Sequence, residues 1–422
     1  MARLASIVVV LGLAAAAYYA QPEAVPAADP DQISPSGDFA VCPIVVSDDR
    51  TNTEVGIAGL TPGPVAVYYV SGGAHVATSG AINENGSGKF AAGDVIGVGL
   101  SPAVLEFRGQ PVAATFTEDA SSLITAGCPA SLPPRWLLPG GSTRDREDLE
   151  LVLSNPFSVE ALVAVDAASE AGVDSPSSLQ SVIVPARSTV TIDMTLELAL
   201  RQNLSVIVET QRGLVIPALR QGSGSDVAAW EGLSAGNQWH LVVPEPGDGT
   251  PTLVMNTDSP VDVPYEVDLL SDGGETVLVS GNLPARGQVV IEIPLQGVGL
   301  RVVAEGEVGA VVTLHGDQVR ATAGGSIDPA SRWLLPVAGS GESAAHSVWV
   351  LNPTDHEIGL VARSLMPGGA AFSAIAAPSE VTELGVDGMG AVLLEADEPV
   401  VAAFTASRAG AVAYGGGVAV DE

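Results

Sequence analysis

Arg135-Trp136-Leu137-Leu138-Pro139 returns later in the chain as Arg332-Trp333-Leu334-Leu335-Pro336, and in looser form between them as Gln238-Trp239-His240-Leu241-Val242-Val243-Pro244. The spacing beyond each copy repeats as well. Nineteen positions after Trp136 stands Asn155-Pro156, nineteen after Trp333 stands Asn352-Pro353, and seventeen after Trp239 stands Asn256-Thr257, each closing an apolar run. Pro185-Ala186-Arg187 answers Pro284-Ala285-Arg286, with Pro378 in the corresponding place of the last copy. Each copy ends on an apolar run, a glutamate (Glu209, Glu305 or Glu395), a short polar turn and a second apolar run. Upstream, Ala103-Val104-Leu105-Glu106 leads into Pro111-Val112-Ala113-Ala114-Thr115-Phe116-Thr117, close to Pro399-Val400-Val401-Ala402-Ala403-Phe404-Thr405. Four related units follow: 41–129, 130–235, 236–328 and 329–422.

Within the second unit the apolar runs are 135–138, 149–153, 161–165, 179–184, 189–194, 204–208 and 214–219. Each is short, rich in Val, Leu and Ile, and bounded by Gly, Pro, Asn, Asp or Ser, the pattern of strands between turns. Seven short strands in about 100 residues predict an all-β chain of four tandem immunoglobulin-like β-sandwich units. A β-propeller is the competing architecture, although no half-length repeat is visible. The best helical segment, Thr195–Arg201, is a turn or two in a loop. The recurring Trp136, Trp239 and Trp333 read as packing anchors of a core or a seam, the alternative being an aromatic platform for sugar. Asn155, Asn256 and Asn352 read as turn residues at strand ends.

Composition narrows the partners. The chain has 422 residues, 49 acidic against 17 basic side chains and a net charge of −32, with a single lysine, Lys89. Nucleic acid is excluded as a partner, because phosphate binding needs clustered Lys and Arg. A hydrophobic content of 46% argues against disorder despite the charge.

Leu4 to Ala20 is an uncharged run behind Arg3, followed by a Pro/Ala-rich linker over 21–40. Residues 1–20 therefore read as a targeting segment, a signal anchor or a cleaved signal peptide. The expected location is the cell membrane, reached through residues 4–20, with the C-terminal bulk extracytoplasmic; the alternative is a secreted protein. Cys42 and Cys128, each followed by Pro, bracket the first unit and predict a disulfide in an oxidising compartment. In the loop-entropy model a loop of that size contributes on the order of 4 kcal/mol.

The Trp-Leu-Leu-Pro, Asn-Pro and Pro-Ala-Arg elements, with the N-terminal hydrophobic segment, resemble an exported actinobacterial family carrying a domain of unknown function, over roughly residues 130–422. The resemblance implies a membrane-attached envelope protein of tandem β-sandwiches and carries over no catalytic residue.

The motifs of common chemistries are missing. Gly88-Lys89 is followed by Phe90 and forms no phosphate-binding loop, and His356-Glu357 lacks the second histidine of a zinc protease, Leu360 standing in its place. Paired carboxylates remain open, since glycan hydrolysis needs only two acids. Glu106, Glu209, Glu305 and Glu395, however, recur in every unit, as turn residues would. No cofactor is expected, save that acidic loops such as Asp48-Asp49 and Glu395-Ala396-Asp397-Glu398 offer oxygen ligands to calcium. The leading expectation is a non-catalytic envelope protein, structural or interacting with an envelope polymer or protein. The alternatives are a carboxylate-dependent glycan hydrolase and a calcium-dependent adhesion module.

Overall fold

The computed structural model describes residues 38–47, 52–71, 74–91, 99–107, 112–118, 123–223, 226–245, 250–271, 274–315, 320–336, 344–386, 390–408 and 411–420. The hydrophobic segment 4–20 and the linker as far as residue 37 lie outside them. Among the described residues no helix is long and apolar enough to cross a membrane.

The first unit sets the pattern. Its eight strands are Asp38–Ser47, Asn52–Ala58, Gly63–Ser71, Ala74–Ile82, Ser87–Ala91, Gly99–Phe107, Val112–Glu118 and Leu123–Gly127. They form two four-stranded antiparallel sheets, one ordered first–sixth–third–fourth and the other fifth–second–seventh–eighth. The same two orders recur in the other three units. In the second unit the fourth strand is split into Gly172–Asp174 and Val182–Val184, both against Ala161–Ser169. In the third and fourth units the sixth and seventh strands are one long strand, Val298–His315 and Val392–Arg408, which passes from one sheet to the other.

This order is not the immunoglobulin order, in which the strand after the sixth stays on that strand's sheet. Here it crosses over, pairs with the second strand and is followed by an eighth. The eighth strands are Leu123–Gly127, Asp226–Glu231, Arg320–Gly324 and Ala411–Gly416. Leu123–Gly127 packs against Asp226–Glu231 and Ala411–Gly416, and Arg320–Gly324 packs against the same two. The four units are thus closed round a common axis in a propeller-like arrangement of four blades. The expected sandwiches in series are replaced by a ring, as in the propeller alternative, and the described residues form one compact body.

Small side chains permit the closure. Ala126, Ala228, Ala229, Ala321, Ala323, Ala411 and Ala413 occupy the eighth strands and are all buried, so four backbones approach one axis closely. At the seam between the first and second units, Ile44 and Ala126 pack with Ala218 and Ala229. Between the second and third, Gln288 Nε2 donates to the Asn203 carbonyl at 2.8 Å and Arg135 pairs with Asp258 at 2.9 Å. The third and fourth share one large core that also takes in Ala114 and Phe116 of the first. Leu334 of the fourth unit packs with Ala58 and Val112 of the first, and Ser87 Oγ donates to the Leu365 carbonyl at 2.8 Å, completing the circle.

The only α-helix among the described residues, Met194–Glu197, is a single turn capped by Asp193, whose carboxylate accepts from the amides of Thr195 and Leu196. It is shorter than the segment singled out in the sequence and lies in the loop expected for it.

Candidate functional site

Each unit closes on itself just after its eighth strand. The amide of Cys128 donates to the Ala113 carbonyl at 3.0 Å, that of Gly232 to Pro217 at 3.0 Å, that of Gly325 to Ala310 at 3.3 Å and that of Gly417 to Ala402 at 2.9 Å. The next residue then bridges back to the unit's first strand. Val41 donates to the Pro129 carbonyl, Leu137 and Leu233 exchange two bonds, His240 and Ser326 do the same, and Leu334 pairs with Val418. Cys128, Gly232, Gly325 and Gly417 are therefore structural equivalents.

Their chemistry explains the tryptophans. A Cβ at Gly232 would meet Trp136 Cε3 at 3.0 Å, one at Gly417 would meet Trp333 Cε3 at 3.0 Å, and one at Gly325 would meet Leu241 Cγ at 2.7 Å. Trp136, Trp239 and Trp333 are 1%, 2% and 1% exposed, which places them in the core and leaves no platform for sugar. The indole N–H groups of Trp239 and Trp333 donate to equivalent carbonyls, Val308 at 2.9 Å and Val400 at 3.0 Å. In the first unit Ala40 stands where the others have Trp, and Cys42 is bonded to Cys128. A covalent link thus holds Cys128 at the place where Gly232 and Gly417 pack against tryptophan and Gly325 against Leu241.

The asparagines divide. Asn155 Nδ2 donates to the carbonyls of Val159 and Val184, and its Oδ1 accepts from the Phe157 amide. Asn352 repeats this with His356, Ala376 and Thr354. In the third unit the equivalent residue is Thr257, whose Oγ1 accepts from Ser259, whereas Asn256 makes only a 3.4 Å contact with the Val206 carbonyl across the seam. Sequence spacing placed the third copy one residue early, because Asn256-Thr257 mimics Asn-Pro in composition alone. The glutamates divide too. Glu209 and Glu395 lie opposite Arg135 and Arg332, at 3.3 and 3.8 Å, but the third unit has Val303 opposite Gln238, two residues before Glu305. Glu106, opposite Phe39, shares the position of Glu209 and Glu395, so Glu305 alone departs from the match that sequence spacing had suggested.

The acidic loops that offered oxygen ligands to calcium are only partly described. Asp48-Asp49 lies outside the described residues, while Glu395 pairs with Arg363 at 3.1 Å and Glu398 with His356 at 3.0 Å. Among the described residues no group of three His, Cys, Asp or Glu is placed to hold a metal ion.

The geometry singles out a different place. Where the chain leaves the eighth strands, all four units line an axial cavity of about 480 Å³, within the range of small-molecule sites. Its walls include the equivalent residues Cys128, Gly232, Gly325 and Gly417, and its polar groups include Glu231, His240 and Asp328. Glu231 accepts from the Gly127 amide at 2.9 Å. Burial pushes its carboxyl above the usual range, against that bond. His240 is 3% exposed, and burial, then the Arg301 charge, lower it to about 4, while Asp328 and a bond to the Ile327 backbone oppose. Its Nδ1 has no partner. Tyr414 also lines the cavity, its buried hydroxyl donating to the Val242 carbonyl.

The profile of a family of unknown function, DUF5719, matches residues 108–328. The chain belongs to the DUF5719 family. The match begins near the seventh strand of the first unit and runs through the second and third, so it starts earlier than the resemblance read from the tryptophan repeats and stops before the fourth unit. No match was found among curated proteins. Among solved structures this DUF5719 chain is similar, at 11% identity over 88% of its length, to Salmonella alpha-2-macroglobulin reacted with methylamine, with a TM-score of 0.15. It spans 30% of that chain. A tetra-tandem repeat in the extending region of a large adhesion protein is similar at 12% identity, over 90% of this chain and 99% of that one, with a TM-score of 0.12. Both scores are too low to bear on fold or function.

Sequence reading missed Glu231 and His240 in this DUF5719 member. Their signal was positional: Glu231 ends the eighth strand just before a glycine, and His240 interrupts the Trp-Leu-Leu-Pro element.

Proposed function

We propose that the chain is a non-catalytic structural or interaction protein of the cell envelope, tethered through residues 4–20 with its β-rich body outside the cytosol. The observation that carries this reading is how the repeated residues are used. Each tryptophan fills its own unit's core, Asn155 and Asn352 tie strand ends together, and Glu209 and Glu395 pair with arginines on the neighbouring strand. Repetition is thus spent on building the ring. The buried Cys42–Cys128 disulfide supports an oxidising compartment. The net charge of −32 suits a soluble ectodomain that repels anionic surfaces.

Crosslinking in the native cell, followed by identification of attached species, tests the reading; recovery of an envelope polymer or protein is expected. Release of reducing ends from cell-wall polymers by the purified protein, abolished by carboxylate substitution, would sink it in favour of a glycan hydrolase.

A further inference from the structure

Beyond that envelope role, and without resting on it, we propose that the axial cavity binds a small organic cation, an amine whose ammonium group is met by the carboxylates of Glu231 and Asp328 while its carbon skeleton lies against the apolar wall. Four observations converge on this chemistry. Among the described residues the lining contains these two carboxylates and no lysine or arginine, in a chain of net charge −32, which disfavours an anionic occupant. Glu231 is half-buried, and its carboxylate accepts from the Gly127 backbone amide, burial raising its pKa against that bond. A half-buried carboxylate so placed is stabilised when a positive charge joins it. Third, His240 lines the cavity and is 3% exposed, yet its Nδ1 has no partner. A buried ring nitrogen without a partner asks for a polar group of a ligand to meet it. Finally, Leu233, Ile327, Val401 and Val418 supply apolar wall beside these acceptors, the mixture typical of small-ligand sites.

An amine answers each demand. Its charge neutralises the carboxylates, its remaining donors reach the imidazole, and its carbons displace water from the aliphatic side. The shared chemistry is the ammonium group, which can come from a free small molecule or from the lysine side chain of a partner.

The test titrates the full chain with glucosamine, 1,5-diaminopentane and the capped tripeptide acetyl-glycyl-lysyl-glycine amide, with glucose and glucuronate as neutral and anionic controls. Intrinsic tryptophan fluorescence is followed, since Trp136, Trp239 and Trp333 border the cavity. A saturable response to at least one amine is expected, with glucose weaker by about tenfold or more and glucuronate silent. Glu231→Gln should weaken the amine by about tenfold while raising the melting temperature of the unliganded protein, because the desolvated charge is gone. Asp328→Asn, at an exposed residue that folding tolerates, should weaken it severalfold and keeps the test decisive if the first variant does not fold. A response confined to the tripeptide puts the ammonium on a partner's lysine, and one confined to the free amines puts it on a small molecule. The absence of a saturable response to all three amines, an equal response to glucuronate, or unchanged affinity in both variants overturns the proposal.

Discussion

Phe116 of the first unit and Phe404 of the fourth lie with ring centroids 5.7 Å apart and planes inclined by 39°, so side chains nearly three hundred residues apart meet where the ring closes. Both rings are buried, Phe404 at 1% and Phe116 at 3% exposure. The contact is one of those by which the first and fourth units hold each other.

Replacing Phe404 by alanine removes this contact and leaves a cavity in the core shared by the third and fourth units. A loss of about 3–5 kcal/mol is expected, measured by denaturant unfolding. Removing residues 1–129 should also lower the stability of the remaining chain. Units standing in series would unfold independently of that truncation, and such a result would refute the closed ring.

Glycine is required opposite the tryptophans. Gly417→Ala places a methyl 3.0 Å from Trp333 Cε3 and 3.0 Å from the Ala402 carbonyl oxygen, neither of which can yield easily. The expected cost is about 1–3 kcal/mol, read as a lowered melting temperature. Gly385→Ala, where a Cβ meets nothing within 4 Å, is the control and should have little effect.

The disulfide replaces that packing in the first unit, so its reduction acts on a unit that has no tryptophan anchor. Cys42→Ala with Cys128→Ala should destabilise by on the order of 4 kcal/mol through the loop it closes, seen as earlier proteolysis of the first unit. Equal protease resistance of the double variant and the parent would contradict this.

Asn352→Ala strips two carbonyls and one amide of their partner and should cost about 2 kcal/mol. Asn256→Ala gives up one long contact and should cost far less. In the third unit the heavier loss is expected from Thr257→Val, because Thr257 Oγ1 also donates to the Glu307 carbonyl at 2.7 Å. Comparative thermal unfolding of the three variants ranks them.

His240 predicts a pH dependence. Its folded value of about 4 lies below the ordinary 6.5, so between these values the unfolded chain binds a proton that the folded chain does not. Stability is therefore complete above pH 6.5 and falls as pH drops toward 4, by on the order of 3 kcal/mol. Arg301 reinforces this and Asp328 opposes it. Glu231, raised by burial, contributes with the opposite sign in parent and variant alike. His240→Asn should flatten the slope of stability against pH in this window; an unchanged slope would show that the histidine does not titrate as its burial requires.

Several features were legible before any coordinates. The valine- and leucine-rich runs of the second unit became strands, since β-branched and aliphatic runs between turn residues have few other uses. What escaped was the eighth strand of each unit. Leu-Ile-Thr-Ala-Gly, Arg-Ala-Thr-Ala-Gly and Ala-Val-Ala-Tyr-Gly-Gly are rich in alanine and glycine, residues of low strand propensity, and so they do not announce themselves as strands. They are small because four of them share one axis. The same blindness hid Glu231 and His240, which are unremarkable in sequence and become a pair of acceptors only where four strand ends converge.

The linear chain by itself determined the repeat, the strand-forming runs, the pairing of the two cysteines and the burial of Trp136, Trp239 and Trp333, all of which follow from short-range periodicity and local chemistry. Only the tertiary structure decided that the units close on one another and that an acidic cavity lies on the axis. Both depend on contacts between residues hundreds of positions apart, and such contacts are selected by the fit of small side chains at the seams, which no local pattern records.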